Sequence, residues 1–128
     1  MGVRHWTTSN VIGPYSSAVQ VGGFLFVAGQ IGIDPASQAL AGDSIEPQTR
    51  QALNNLMSVL RSAGYDSSHV IQCNVFLKNI GDFAAMNSVY GTYFVKGRYP
   101  ARTTVEVSNL PRNARVEIAA TAYKDIHP

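Results

Sequence analysis

The chain has one cysteine, Cys73, among its 128 residues. That excludes an internal disulfide framework and any CxxC metal knuckle, and a chain of this length needs neither in order to fold. Flanked by apolar, strand-like residues, Cys73 reads as a small buried hydrophobe and leaves a reducing compartment plausible. Charge is sparse as well: Asp, Glu, Lys and Arg make up 14% of the residues and the formal net charge is +2. With no dense basic tract and no basic helix face, nucleic acid is not expected as a partner; Arg112 and Arg115, flanking Asn113-Ala114, come nearest to one. No apolar run suits a membrane span, and the first residues lack the basic-then-apolar order of a secretory signal. A cytoplasmic location with no membrane partner is therefore the expectation, or an organellar matrix if the chain is processed. His5, His69 and His127 are scattered, so no metal is expected.

What is present is enough Val, Ile, Leu, Ala and aromatic residues for one ordinary core. No long Pro/Gly/Ser linker, repeat or low-complexity tract divides it, so residues 1–128 read as a single domain, with 1–11 as a loosely attached N-terminal segment. Residues 16–20 and 24–30 are short strand candidates joined at Gly22-Gly23, a hairpin signal. Gly29 and Gly32 bracket Gln30-Ile31 and suit a bulge or a close approach. A polar loop marked by Asp34-Pro35 and Ala41-Gly42-Asp43 follows. From about 44 to 63 the period becomes helical: Leu53, Leu56, Met57 and Leu60 recur on one face, with Gln48, Arg50, Gln51, Asn55 and Arg61 largely elsewhere and Gly64 as the stop. Residues 70–77 predict another strand. Asp82 is placed to cap a second helix whose Phe83, Met86, Tyr90 and Tyr93 or Phe94 form an apolar stripe, read as packing. The order of hairpin, helix, strand, helix and strand pair predicts an α+β sandwich with helices on one face of a mixed sheet.

The last two strands carry unlike charges. Period-two geometry puts Arg102, Thr104 and Glu106 on one side of their strand, opposite the greasier Thr103, Val105 and Val107. In the final strand Val116, Ile118, Ala120 and Ala122 form the apolar set. Glu117, Ala119 and Thr121 then look away from the helices, toward a face whose small residues suit cover by another subunit. A guanidinium grips a planar carboxylate and a nearby Glu can position or deprotonate water, so Arg102 and Glu117 suggest hydrolysis of a small acid; a solvent-facing pair or a cross-strand salt bridge is the plainer alternative.

Five ordered segments, Ile12-Gly13-Pro14-Tyr15-Ser16, Phe26-Val27-Ala28-Gly29-Gln30-Ile31, Asn87-Ser88-Val89-Tyr90, Pro100-Ala101-Arg102 and Val116-Glu117-Ile118, resemble the RidA (YjgF) family of reactive-intermediate deaminases over about residues 12–123. The resemblance implies a chorismate-mutase-like homotrimer with intersubunit clefts that hydrolyses 2-imino acids such as 2-iminobutanoate and 2-iminopropanoate, or their enamine forms, to 2-oxo acids and ammonia without metal or cofactor. It maps the family's carboxylate-binding arginine onto Arg102, its water-orienting acid onto Glu117 and its pocket tyrosine onto Tyr15. Gly29, Thr104 and Asn87 fall on substrate-binding positions. Thr104 stands where many members have Cys, and Ala119 where many have a second Glu. A trimer that binds metabolites without turnover, or acts like a chaperone, is the alternative; endoribonuclease or translation-inhibitor activity, also described in the family, has little support in the composition.

Overall fold

Gly22 takes a left-handed φ of 57° and turns the chain between β2 (Ala18–Val21) and β3 (Phe24–Ile31), as the double glycine predicts. The computed structural model describes residues 2–8, 11 and 13–126, which leaves Ile12 of the first motif and His127 outside the described residues. One mixed sheet runs through the molecule in the order β1-β2-β3-β6-β4-β5, with β1 Val3–Trp6, β4 Val70–Leu77, β5 Ala101–Glu106 and β6 Val116–Tyr123. Every neighbouring pair is antiparallel except β4 and β5. That parallel pair requires a crossover, which α2 (Phe83–Tyr90) supplies.

Val3–Trp6, inside the segment expected to be loosely attached, forms a strand. Val3–Trp6 pairs with β2 from Val3↔Val21 to Trp6↔Ala18, and Ser17 N–H donates to the Trp6 carbonyl at 2.7 Å. The physical reason is an edge: β2 would otherwise present unpaired backbone groups. Trp6 packs on the core while the Arg4 guanidinium lies 4.2 Å over its ring.

α1 (Ile45–Ser62) buries Leu53, Leu56 and Leu60 against Leu25 and Val27 of β3, Cys73, Val75 and Leu77 of β4, and Val116, Ile118 and Ala120 of β6. Gly64, at φ 83°, ends it, and Tyr65 N–H donates back to the Leu60 carbonyl. Gln48 departs from its expected polar face and is 2% exposed. Its Nε2 donates to the Gly42 carbonyl and its Oε1 accepts from Arg115 N–H, each at 2.8 Å, so it ties helix, loop and β6 together and satisfies its own burial. Gly32 lies against the same residue: a Cβ there would be 2.5 Å from the Gln48 carbonyl oxygen. Asp82 does not cap α2 with its side chain; its carboxylate pairs with Arg115 at 3.4 Å instead.

The helices cover one face of the sheet. The other face carries Phe24, Phe26, Phe76, Val105, Ala119 and Tyr123, with Phe24 and Phe26 42% and 48% exposed and Tyr123 4.8 Å from Phe24 between ring centroids.

Candidate active site

Register decides which face each charged residue takes, because residues paired across neighbouring strands point to the same side. Cys73 is buried under the helices and pairs with Arg102; Val75 pairs with Thr104 and Leu77 with Glu106. Arg102 therefore projects on the helix side of the edge strand β5. Glu117 pairs with Phe76 and with Ile31 and projects on the uncovered side of β6. A cross-strand salt bridge within one chain is excluded. The greasier set of β5, Thr103 and Val105, faces outward rather than into the core, because β5 takes its facing from the parallel register with β4.

Glu117, Gly29 and Tyr15 line one cavity of about 270 Å³. The register of β3 on β6 slips between Val27 and Gln30, and this bulge swings Gly29 under the Glu117 side chain. An added Cβ at Gly29 would sit 2.6 Å from Glu117 Oε2, so only glycine leaves the carboxylate where it is. Glu117 is half-buried and has no hydrogen-bond partner among the described residues. Burial raises its carboxyl above the ordinary glutamate value. Tyr15 is half exposed at the rim, its N–H donating to the Gly13 carbonyl at 3.0 Å.

Arg102 and Asn87 line a second, more open cavity of about 440 Å³, with Tyr90, Tyr99 and Pro100. The guanidinium lies 4.7 Å from the Tyr90 ring and 5.5 Å from the Phe83 ring, and no acceptor among the described residues takes its N–H groups. Two aromatic faces hold the cation without neutralising it, which is the condition of a group waiting for an anion. Asn87 Oδ1 and the Tyr90 hydroxyl are buried here with no hydrogen-bond partner in the described structure. Thr104 lies half-buried on β5 and lines neither cavity.

One chain thus brings together Tyr15, Gly29 and Glu117, and separately Asn87 and Arg102. Cys73 is buried as expected, and desolvation raises its thiol, which keeps it protonated and inert. Among the described residues no group of His, Cys, Asp and Glu could hold a metal.

The family model described as Endoribonuclease L-PSP matches residues 7–124. The chain belongs to this family, RidA (YjgF). RidA relatives include a RutC family protein of Pyrococcus horikoshii, 50% identical over 89% of this chain and 90% of that protein. The 2-iminobutanoate/2-iminopropanoate deaminase of Mus musculus is 44% identical over 88% and 83%. Among solved structures, the Rid-family YyfA of Yersinia pestis superposes with a TM-score of 0.91 at 40% identity, covering 96% of this chain and all of that one. TdcF of E. coli with bound serine gives 0.87 at 29%, covering 95% and 100%. The six-stranded mixed sheet with two helices is thus the RidA fold.

Two features of this RidA chain escape a reading of its sequence. Phe83 and Tyr90, read as a packing stripe, also carry Arg102; their seven-residue spacing on one helix face was the available signal. Arg112 enters the Glu117 cavity, and only the turn after Pro111 hints at it.

Proposed function

We propose that this chain is a hydrolytic deaminase of small 2-imino or 2-enamino acids, 2-iminobutanoate and 2-iminopropanoate among them, releasing a 2-oxo acid and ammonia. Residues 1–128 act as one domain in a cytoplasmic homotrimer. Each cleft joins Arg102 and Asn87 of one copy to Glu117, Tyr15 and Gly29 of a neighbouring copy. The observation that carries this reading is the split itself: an arginine with no acceptor among the described residues and a half-buried, raised carboxyl lie on opposite faces of one sheet, each lining its own cavity. The exposed Phe24, Phe26 and Tyr123 on the Glu117 side supply apolar surface for the neighbouring copy.

Paired N–H donors of Arg102 hold the substrate carboxylate and so fix the adjacent C=N carbon. Glu117 orients a water against that carbon, with the backbone carbonyl of Thr104, on β5 two residues from Arg102, as the water's second acceptor. As the C–O bond forms, the carboxylate of Glu117 takes one proton from the water and delivers it to nitrogen. It then takes the carbinolamine's hydroxyl proton as C=O forms, while the C–N bond breaks with a second proton donated to nitrogen, and the hydroxyl proton restores that donor as ammonia leaves. A carboxyl raised toward neutrality serves both as base and as acid in such a transfer. Tyr15 caps the cleft and donates to the departing amine. Cations elsewhere on the chain are few and partly paired, so RNA cleavage is less well supported than hydrolysis of a small acid.

The test mixes two inactive variants. Arg102→Ala and Glu117→Gln subunits, unfolded together and refolded, should regain about a quarter of wild-type imine hydrolysis, because one cleft in four draws both intact residues from different copies of a cyclic oligomer. The assay follows decay of 2-iminobutanoate generated in situ, with RNA cleavage measured in parallel. No recovery in refolded mixed oligomers, with each parent inactive, sinks the shared cleft.

A further inference from the structure

Arg112 lines the Glu117 cavity and has no part in the chemistry above. It follows Pro111 in the turn between β5 and β6 and adopts a left-handed φ of 60°. One Nη2 N–H donates to the Gln38 carbonyl at 3.1 Å, which fixes the guanidinium against the 34–40 loop. No carboxylate among the described residues pairs with it. A guanidinium has five N–H donors, so most of these remain available. Several other polar groups in the wall are occupied: Asn55 Nδ2 donates to the Ile31 and Ile33 carbonyls at 3.1 and 2.9 Å, and the Thr8 and Ser17 hydroxyls bond each other at 3.0 Å.

No ion pair among the described residues joins Arg112 to Glu117. A guanidinium against that carboxylate would pull its carboxyl down, whereas burial raises it unopposed. The two groups therefore face a common space of about 270 Å³, near the liquid volume of nine waters, which exceeds the needs of one attacking water and a short alkyl group. Lys78 borders the adjoining cavity, which Arg112 also lines together with Asp43 and with Arg115, itself paired to Asp82.

We propose that Arg112 binds a second carboxylate at the far end of the substrate, so that the enzyme favours 2-imino acids of dicarboxylic amino acids over monocarboxylic ones. The inference rests on the deaminase reading and names its substrate class. Water adds and ammonia leaves at the C=N carbon as before, while the distal carboxylate passes unchanged into a 2-oxo diacid.

The experiment compares 2-iminopentanedioate with 2-iminopentanoate, equal in chain length and differing in the terminal carboxylate, each generated in situ by an amino acid oxidase. The readout is the ratio of their kcat/KM values, which general damage to the fold would leave unmoved. Wild-type protein should favour the diacid, and Arg112→Gln should lower the ratio roughly ten- to hundredfold, the range for a charge-assisted hydrogen bond, with Arg112→Lys restoring part of it. A wild type that prefers the monoacid, or an Arg112→Gln ratio within about twofold of wild type, overturns the assignment while leaving the deaminase reading intact. Wild-type protein that hydrolyses neither imine, nor 2-iminobutanoate, overturns both.

Discussion

Replacing Gly29 by alanine tests the site at its tightest point. The added Cβ would stand 2.6 Å from Glu117 Oε2, 2.8 Å from Cδ and 2.9 Å from Cγ, against 3.4 Å or more for ordinary contact. The carboxylate must therefore retreat by about 0.8 Å, a step comparable to the ~1 Å misplacement that costs an enzyme about a hundredfold. Gly29 is not among the positive-φ glycines, so alanine meets no backbone strain, and exchanging glycine for alanine within a strand offsets part of the steric cost by about 0.5–1 kcal/mol. The displaced group is the far end of a flexible side chain, so the fold survives and the geometry does not. Gly29→Ala should lower kcat about 30- to 100-fold, with KM little changed because Arg102, the proposed carboxylate clamp, lies in the other cavity. Its melting temperature should stay within about 5 °C of wild type. The measurements are initial rates of imine decay over a range of substrate and a thermal melt by circular dichroism. A well-folded Gly29→Ala protein with wild-type kcat would refute the claim that the position of Glu117 limits turnover.

Arg102→Lys keeps the charge but loses the paired donors and the flat face that rests on Phe83 and Tyr90; KM should rise about tenfold or more, and equal KM values would remove the carboxylate clamp. Because burial raises the Glu117 carboxyl, the acid limb of kcat/KM should have its midpoint above the ordinary 4.5, and a midpoint at or below that value would contradict the ionised carboxylate as base. Between 4.5 and its raised value, folded Glu117 retains a proton that the unfolded chain has released, so this contribution to stability is full below 4.5 and is lost as pH rises through the folded value. Glu117→Gln lacks that slope, and its melting temperature should gain on wild type from pH 4 toward neutrality; a constant difference across that range argues against the raised value. Phe26→Asp places a charge on the uncovered apolar face and should yield a folded monomer without imine hydrolysis, checked by light scattering and circular dichroism; an active monomer would rule out a shared cleft.

Local signals explain what the sequence reveals. Leu53, Leu56 and Leu60 locate α1, Gly64 its end, the Val70–Leu77 alternation β4, and Gly29 a bulge, because each depends on residues adjacent in the chain. The parity of Glu117 is legible for the same reason. The facing of Arg102 is not: strand period fixes which residues share a side, but only pairing with β4 decides which side meets the helices. The burial of Gln48 depends on the Gly42 carbonyl and Arg115 N–H, one of them far along the chain, and β1 forms because β2 offers an edge. The family resemblance locates Tyr15, Asn87 and Thr104 as candidates, yet it cannot say that one chain divides them between cavities or leaves Thr104 outside both.

That division has a mechanical cause. β4 lies between β5 and β6, and the two charged side chains leave the sheet in opposite directions, so within one copy they line different cavities. An edge strand offers the way out. Because β5 is outermost, a side chain on its helix face reaches the sheet's rim, where Arg102 rests on Phe83 and Tyr90 rather than under the core. Glu117 sits on a central strand, with its face open and apolar toward Phe24, Phe26 and Tyr123. A rim presenting a cation and an open face presenting a raised carboxyl are different surfaces, so a cleft made from both is a head-to-tail contact, the kind that closes only as a ring. In the proposed shared cleft, assembly and catalysis depend on the same surfaces: a guanidinium with no partner among the described residues and a desolvated carboxyl are poor features for an isolated domain and suitable ones for a cleft completed by the next copy.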